Sequence, residues 1–453
     1  MREGNTLDDH TAAIWGAAAI EGAAGMKQLG PRSAEVWTFV AAGLILIFVT
    51  FFGQHLVSGP GSQGDELAYL RYATNLTHGQ YAIPSQASHG LYLWHGPGLP
   101  LVLAPLVALH ASVRAMRLVG PLSLLLAGIF FWLFLRRWVS RWLALAGGVI
   151  LALFPPYLRL LPHLFSEPLA LMFLMAALWA LGNAHESGRL RWTVASGVLF
   201  GFMVLTRVED GWILLAGLAA LAVIALWKRR RANLLNLICV AVAVVVCLPW
   251  LAYTDSLAHK FPYWASSGGM SLYWMASTTP GNTGSWVDAE QVATSRHWLP
   301  DRPLFQRVNS MPQVQADAEL QRVSLRLIRR HPGVYLEHVA DNLSRMVLGG
   351  PYSFQPAGRG IYLYGVDDVL LLIALAIAIV VLARRGPPRV PEAVRLLVIF
   401  GVLNLLIHLV VAAYPRMTTL SIPAALAVIA LGAERIYDTR RRGSAPSSAA
   451  LAN

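Results

Sequence analysis

The sequence predicts an all-α polytopic membrane protein with about ten transmembrane helices. Three observations carry this. Of 453 residues, 56% are hydrophobic and only 13% charged, whereas an ordinary soluble domain carries ~25% charged residues. The apolar residues gather in long runs. The net charge of +12 comes from Lys and Arg beside those runs, which marks membrane topology rather than a nucleic-acid partner.

Residues 1–35 read as a cytoplasmic tail without a cleavable signal pattern, so the first apolar run is expected to be a signal anchor. A span needs roughly 20 mostly apolar residues. Ten runs qualify: 36–54, 118–135, 142–159, 165–182, 192–206, 210–227, 234–252, 366–383, 393–413 and 417–436. The fifth is short but bounded by Arg191 and Arg207. Basic clusters follow the even-numbered runs: Arg136, Arg137 and Arg141; Arg189 and Arg191; Lys228 to Arg231; Arg384, Arg385 and Arg389; Arg440 to Arg442. With ten crossings all of them share one side with both termini, the cytoplasmic side by the positive-inside rule. Leu99–His110 is also apolar, but if it crossed, every later cluster would flip outward. It is therefore expected to be re-entrant or interfacial.

Residues 36–252 form the expected catalytic core, with a first outward loop over 55–117. Residues 253–365 form a large extracytoplasmic loop rich in Trp, Tyr and Pro, with an amphipathic helix near 316–330. C-terminal helices fill 366–436, and 437–453 is a second cytoplasmic tail. Cys239 and Cys247 lie eight apart in one apolar run, which suits packing rather than a disulfide or zinc. The sequons at Asn75 and Asn342 are taken as chance matches.

Charges near membrane depth are costly, so those outside the basic clusters are functional candidates. They collect where outward loops meet spans: Asp65, Glu66, Arg71, Arg114, Arg117, Arg159, His163, Glu167, Arg207, Glu209, Asp210 and Arg416. Carboxylates and guanidinium groups brought to one face suit a transferase acting on a membrane-bound phosphosugar. An attacking hydroxyl needs a carboxylate base. A leaving phosphate needs cations, and the arginine fork matches its oxygens.

Gly64-Asp65-Glu66-Leu67-Ala68-Tyr69, Gly79-Gln80-Tyr81 and His95-Gly96-Pro97-Gly98-Leu99-Pro100 follow the first span. Then come Arg117-Leu118, Ser166-Glu167-Pro168-Leu169, Gly197 and Gly201 before Leu205-Thr206-Arg207, and Tyr414-Pro415-Arg416 before Ile422-Pro423. In this order they resemble the GT-C glycosyltransferases, the superfamily of protein O-mannosyltransferases and lipid A aminoarabinose transferases. The similarity runs from about Val36 to Ile436 and is loosest in the large loop. Many relatives have Pro-Pro where this chain has Gly96-Pro97-Gly98, and Asp rather than Glu at position 66. The resemblance implies an inverting, polyprenyl-phosphate-sugar-dependent transferase of lipid, glycan or protein acceptors. It implies Asp65 as catalytic carboxylate, Glu167 shaping the site, and Arg207 and Arg416 near the carrier phosphate.

The expected catalytic group is thus Asp65, Glu66 and Glu167, with substrate contacts at His95, Arg117, Arg159, His163, Arg207 and Arg416. Each has a plainer reading. The acids also suit the first turn of a helix, and the arginines also suit snorkelling to an interface. Trp264, Tyr273, Trp274 and Trp286 offer faces for a sugar or a loop core. No resident cofactor is expected. A divalent metal, as in the oligosaccharyltransferase branch, is the less favoured option, and a monomer in membrane lipid suffices. A transporter and a diphosphate-dependent glycan ligase are the rival classes, the latter drawing in Arg322 and Arg326.

Overall fold

The computed structural model describes residues 31–56, 64–83, 92–355, 365–385 and 390–443. The tail before residue 31, the tail beyond Gly443 and Arg389 lie outside them. The described residues are helical, with no strand among them.

Ten helices make the bundle: α1 (Pro31–Leu56), α4 (Val119–Leu135), α5 (Arg141–Ala152), α6 (Glu167–Ser187), α7 (Leu190–Thr206), α8 (Gly211–Trp227), α9 (Arg231–Ala258), α14 (Val366–Arg385), α15 (Glu392–Leu409) and α16 (Ile422–Gly443). Outside it lie α2 (Gly64–Thr77), α3 (Gly98–Ala108), and the loop helices α10 (Gly268–Ala276), α11 (Arg302–Asn309), α12 (Gln313–Arg330) and α13 (Pro332–Leu348). Among the described residues, nine helical stretches are long and apolar enough to cross a membrane. The remaining bundle helix, α7, is a shorter apolar helix of 17 residues, about 25 Å at helical rise. It is nonetheless interior, between α6 and α9. Gly197 and Gly201 let it lie against α9, where a Cβ on Gly197 would come within 2.5 Å of the Cys239 carbonyl. Both cysteines are buried and free at this seam.

Several helix ends extend beyond the predicted runs. α1 starts five residues early, at Pro31. α9 continues past Pro249 to Ala258 because the large loop holds its end: Trp250 Nε1 donates to the Trp264 carbonyl (3.2 Å) and Thr254 Oγ1 to that of Tyr263 (2.6 Å).

The two ends of the bundle differ in chemistry. At one end, Arg137 donates to Asn183 (2.7 Å), Arg141 to Glu35 (2.5 Å), the Ser140 amide to Glu434 (2.6 Å), and Arg231 to the Gly188 carbonyl (2.9 Å). The basic connections therefore share this end with the start of α1 and the last turns of α16. At the other end lie Asp65, Glu167, Arg207, His408 and Arg416. The helix α3 does not cross: His95 before it and Arg117 after it both reach first-turn residues of α2. The expected re-entrant or interfacial helix is an 11-residue helix packed on α2.

The large loop folds over this second end on its own core of Tyr273, Trp274, Trp298, Phe305 and Leu320. Three of the four aromatics named as sugar platforms, Trp264, Tyr273 and Trp274, are core residues instead; Trp286 is half-buried. Asn342 Nδ2 donates to the carbonyls of His408, Leu409 and Val411 (2.7–3.0 Å). Arg345, fully buried, donates to the carbonyls of Pro351 (2.6 Å), Thr283 and Ala413 (both 3.2 Å). Burial pushes this guanidinium down to about 10, against the opposing pull of Tyr352 and Asp341. Both sequon asparagines are buried and engaged, Asn75 donating to the Tyr81 carbonyl (2.9 Å).

Candidate active site

Asp65 and Glu66 occupy the first turn of α2, where the helix dipole favours acids. Consecutive helical residues point about 100° apart, and these two side chains reach different clusters.

Asp65 faces the loop ends. Its Oδ2 accepts from Arg416 Nη2, and Oδ1 lies 3.7 Å from His95 Nε2. Arg416 Nη1 is 3.5 Å from Glu167 Oε1, which accepts from Arg207 Nη1 at 2.9 Å. Arg207 Nη2 then meets Glu209 Oε1 at 2.5 Å. Three carboxylates thus alternate with two guanidinium groups contributed by four parts of the chain. Glu167 and Arg207 are buried, whereas Asp65 is 25% and Arg416 21% exposed. The row is therefore buried in its middle and reaches the surface at both ends, at the Asp65–Arg416 pair and at Glu209, which is 34% exposed. One buried oxygen of Glu167, Oε2, has no hydrogen-bond partner. Arg416 also lies over the rings of Phe165 (4.6 Å) and Tyr414 (5.8 Å), which fixes its plane.

Burial alone would raise the Asp65 carboxyl. The charge and hydrogen bond of Arg416, with His95 and Arg207, overcome it and hold Asp65 at about 2. Burial pushes His95 below its usual value against the pull of Asp65. Asp65 is thus ionised across the physiological range.

The His95 turn is built with care for its backbone. Leu93, fully buried, sits in the left-handed region at φ 54°, a conformation that costs ~1 kcal/mol or more in a non-glycine residue. Tyr81 OH donates to the His95 carbonyl (2.7 Å), and the Trp94 amide donates to Tyr72 OH (3.3 Å). A Cβ on Gly96 would come 2.2 Å from the Leu205 carbonyl, and one on Gly98 would come 2.1 Å from Thr206 Oγ1. This explains Gly-Pro-Gly here: the turn must lie directly on the end of α7, which delivers Arg207.

Glu66 is fully buried and both its oxygens are taken. Arg117 donates Nη2 to Oε1 (2.6 Å) and Nε to Oε2 (3.1 Å), and the Leu164 amide donates to Oε2 (2.8 Å). His163 Nδ1 is 3.8 Å away. Glu66, Arg117 and His163, expected respectively as a catalytic acid and as substrate contacts, thus meet one another in a cluster apart from the Asp65 row. That cluster ties α2 to the segments preceding α4 and α6. Arg159 is also displaced from the row, donating to Asp367 Oδ1 at 2.9 Å at the start of α14. Arg322 is 68% exposed and pairs with Glu319, and Arg326 is exposed. A diphosphate donor would draw these residues toward the site, and they instead face outward.

The sequence reading missed Tyr69, whose OH donates to Ser166 Oγ (3.0 Å) and stands 3.5 Å from His95 Nδ1. Tyr69 lies four residues after Asp65, one turn along the same helix face, and that spacing was the available signal. It missed His408 as well, 3.8 Å from Glu209 and inside an apolar run that hid it. Buried Asp210 accepts from Asn404 (3.0 Å) and joins α8 to α15. Among the described residues no group of three or more His, Cys, Asp or Glu side chains is arranged to hold a metal ion. Asp65 and Glu167 each already hold a guanidinium, in the direction from which a cation would bind.

The family model described as dolichyl-phosphate-mannose-protein mannosyltransferase matches residues 94–253. That segment runs from the His95 turn into α9 and includes Glu167 and Arg207. No curated protein sequence matches the chain. Among solved structures it is similar to the archaeal oligosaccharyltransferase AglB of Archaeoglobus fulgidus in complex with an inhibitory peptide and a dolichol-phosphate. The identity is 15% and the TM-score 0.47, covering 92% of this chain and 52% of that one. It is also similar to the oligosaccharyltransferase of the same organism tethered to an acceptor peptide, at 14% identity and TM-score 0.48, with 93% and 52% covered. The chain spans about half the length of these structures. The family match thus covers about a third of the chain, across residues 94–253, within a helical architecture that holds, among the described residues, nine stretches long and apolar enough to cross a membrane.

Proposed function

We propose that the protein moves a sugar from a polyprenyl-phosphate carrier to an acceptor hydroxyl, with inversion at the anomeric carbon, at the extracytoplasmic face. The observation that carries this reading is Arg416, held between Asp65 and Glu167 at one partly exposed end of the ion row. A guanidinium with two carboxylate neighbours can exchange one of them for a phosphate. Donor binding then engages Arg416 and loosens its hold on Asp65, which becomes a stronger base where the acceptor arrives. Glu167, anchored by Arg207, keeps Arg416 in place during the exchange.

The acceptor oxygen attacks the anomeric carbon and passes its proton to Asp65. The bond from that carbon to the phosphate oxygen breaks, and its electron pair leaves on the phosphate, stabilised by Arg416 and Arg207. The carboxylates of Asp65 and Glu167 favour the positive character of the sugar in the transition state. Because guanidinium groups supply the positive charge, the proposed reaction uses no resident metal. The sidedness rests on the basic clusters gathered at the opposite end of the bundle, the cytoplasmic end by the positive-inside rule.

The test uses a radiolabelled polyprenyl-phosphate-sugar and membranes containing the native acceptor. Wild-type protein labels the acceptor and frees the carrier phosphate, whereas Asp65→Asn at equal abundance labels none. Equal labelling by the variant overturns the assignment.

A further inference from the structure

A cavity of about 460 Å³ opens in the large loop, within the range of about 300–1,000 Å³ typical of small-ligand sites. It belongs to neither ion cluster. Its walls carry half-buried aromatic faces from Trp286, Tyr352, Phe354 and Tyr414, together with the exposed amides of Gln291 and Gln355. No Asp, Glu, Lys or Arg lines it among the described residues; His297 does, stacked on the Phe354 ring at 4.5 Å.

Two physical links join this cavity to the reacting end of the ion row. Trp286 meets Trp94 edge-on, with ring centroids 5.4 Å apart, and the next residue, His95, stands against Asp65. Tyr414 lies under the Arg416 guanidinium at 5.8 Å. A ligand in the cavity would thus lie along Trp94 and Tyr414, with one end directed at Asp65.

The walls are also rigid. Trp298 packs between Trp274 of the loop core (4.7 Å) and Phe354 (4.8 Å). The Ser285 and Ser353 hydroxyls are bonded to each other (2.7 Å). Buried Arg345 fastens the 350–353 turn to the strap before Tyr414. A recognition surface mounted on a packed core needs little ordering when it binds.

We infer that this cavity is the acceptor subsite and that the acceptor it takes is a neutral carbohydrate. The C–H face of a sugar ring is apolar and slightly positive, and it packs on the negative face of an aromatic ring. Sugar hydroxyls both donate and accept, as the amides of Gln291 and Gln355 do. The absence of Lys and Arg from the walls disfavours a phosphorylated or acidic headgroup. The cavity has no strand edge among the described residues, so it lacks the main-chain pairing by which extended peptides are commonly held. The role as acceptor subsite rests on the transferase reading; the binding itself does not.

The experiment uses full-length protein in lipid nanodiscs and neutral trisaccharides of glucose, mannose, galactose and N-acetylglucosamine. Binding is read by saturation-transfer NMR. At least one trisaccharide should bind, with saturation strongest on ring C–H protons. Trp286→Ala and the double variant Gln291→Ala/Gln355→Ala should each weaken it about tenfold, the equivalent of one lost stacking or hydrogen-bonding contact of ~1.4 kcal/mol. The double variant alters only exposed side chains, so it serves if Trp286→Ala misfolds. Asp65→Asn should bind the trisaccharide as wild type does. Binding with no transfer from any polyprenyl-phosphate donor would sink the enzymatic reading and leave the carbohydrate site standing. Transfer to a peptide or lipid with no trisaccharide bound, or binding indifferent to both cavity variants, would overturn the inference.

Discussion

Asp65 and Glu66 are neighbours in sequence, carry the same functional group and share one helical turn. Asp65 is a quarter exposed and held by a guanidinium that a second carboxylate also holds. Glu66 is fully buried, and Arg117 and a backbone amide take both its oxygens. An acid whose partner can be exchanged is available for chemistry. An acid whose every lone-pair direction is occupied inside the protein acts as a fastener. Acidity is therefore not what separates the two; the replaceability of the partner is.

The strongest way to break this contrast is to neutralise each acid separately. Asp65→Asn should lower the transfer rate by about 10²–10⁴-fold, the usual worth of a positioned base, with the thermal midpoint in detergent unchanged. Glu66→Gln should do the reverse. Leaving Arg117 buried without its counter-charge costs ~3–5 kcal/mol of stability, seen as a lower midpoint and yield. The activity per folded molecule should stay within a few fold by carrier-phosphate release assays. The double variant Glu66→Gln/Arg117→Met should recover most of that stability, because removing both charges removes the uncompensated one. If Glu66→Gln abolishes turnover in a fully stable protein, the contrast is wrong.

A gentler probe is the pH profile of kcat/KM. Asp65 is held at about 2 mainly because Arg416 outweighs burial. In Arg416→Gln, burial remains and the opposing charge is gone, so the carboxyl must rise. The acid limb of residual activity should move upward by about 1–3 units. An unmoved limb would mean that another group titrates. The smallest expected effect is that of chelation: EDTA should change the wild-type rate less than about twofold, since guanidinium groups supply the charge. A larger loss, restored by a divalent ion, would give the row a metal partner.

Much of the architecture was legible because the bilayer enforces it. Twenty-residue apolar runs and the side on which basic residues fall left one consistent crossing count, and the same count rejected 99–110 as a span. The candidate site was half legible. Asp65, Glu167, Arg207 and Arg416 stand out as charges retained at loop–span junctions, and the structure brings these four into one row. The same signal selected Arg117, His163 and Arg159, since a junction charge looks alike whether its partner is substrate or protein. Tyr69 and His408 escaped because polar atoms within aromatic or apolar stretches leave no charge signature.

The sequence by itself determined that the chain is a multi-pass membrane protein built from long apolar helices, and it marked the acids and arginines that meet at one end of the bundle. These follow from solvation, which acts on each segment locally. Only the tertiary structure decided which of two adjacent acids faces outward, which arginine each one meets, and which loop tryptophan is a wall rather than core. Those outcomes depend on side chains from distant segments competing for the same few ångströms, and no local pattern records who wins.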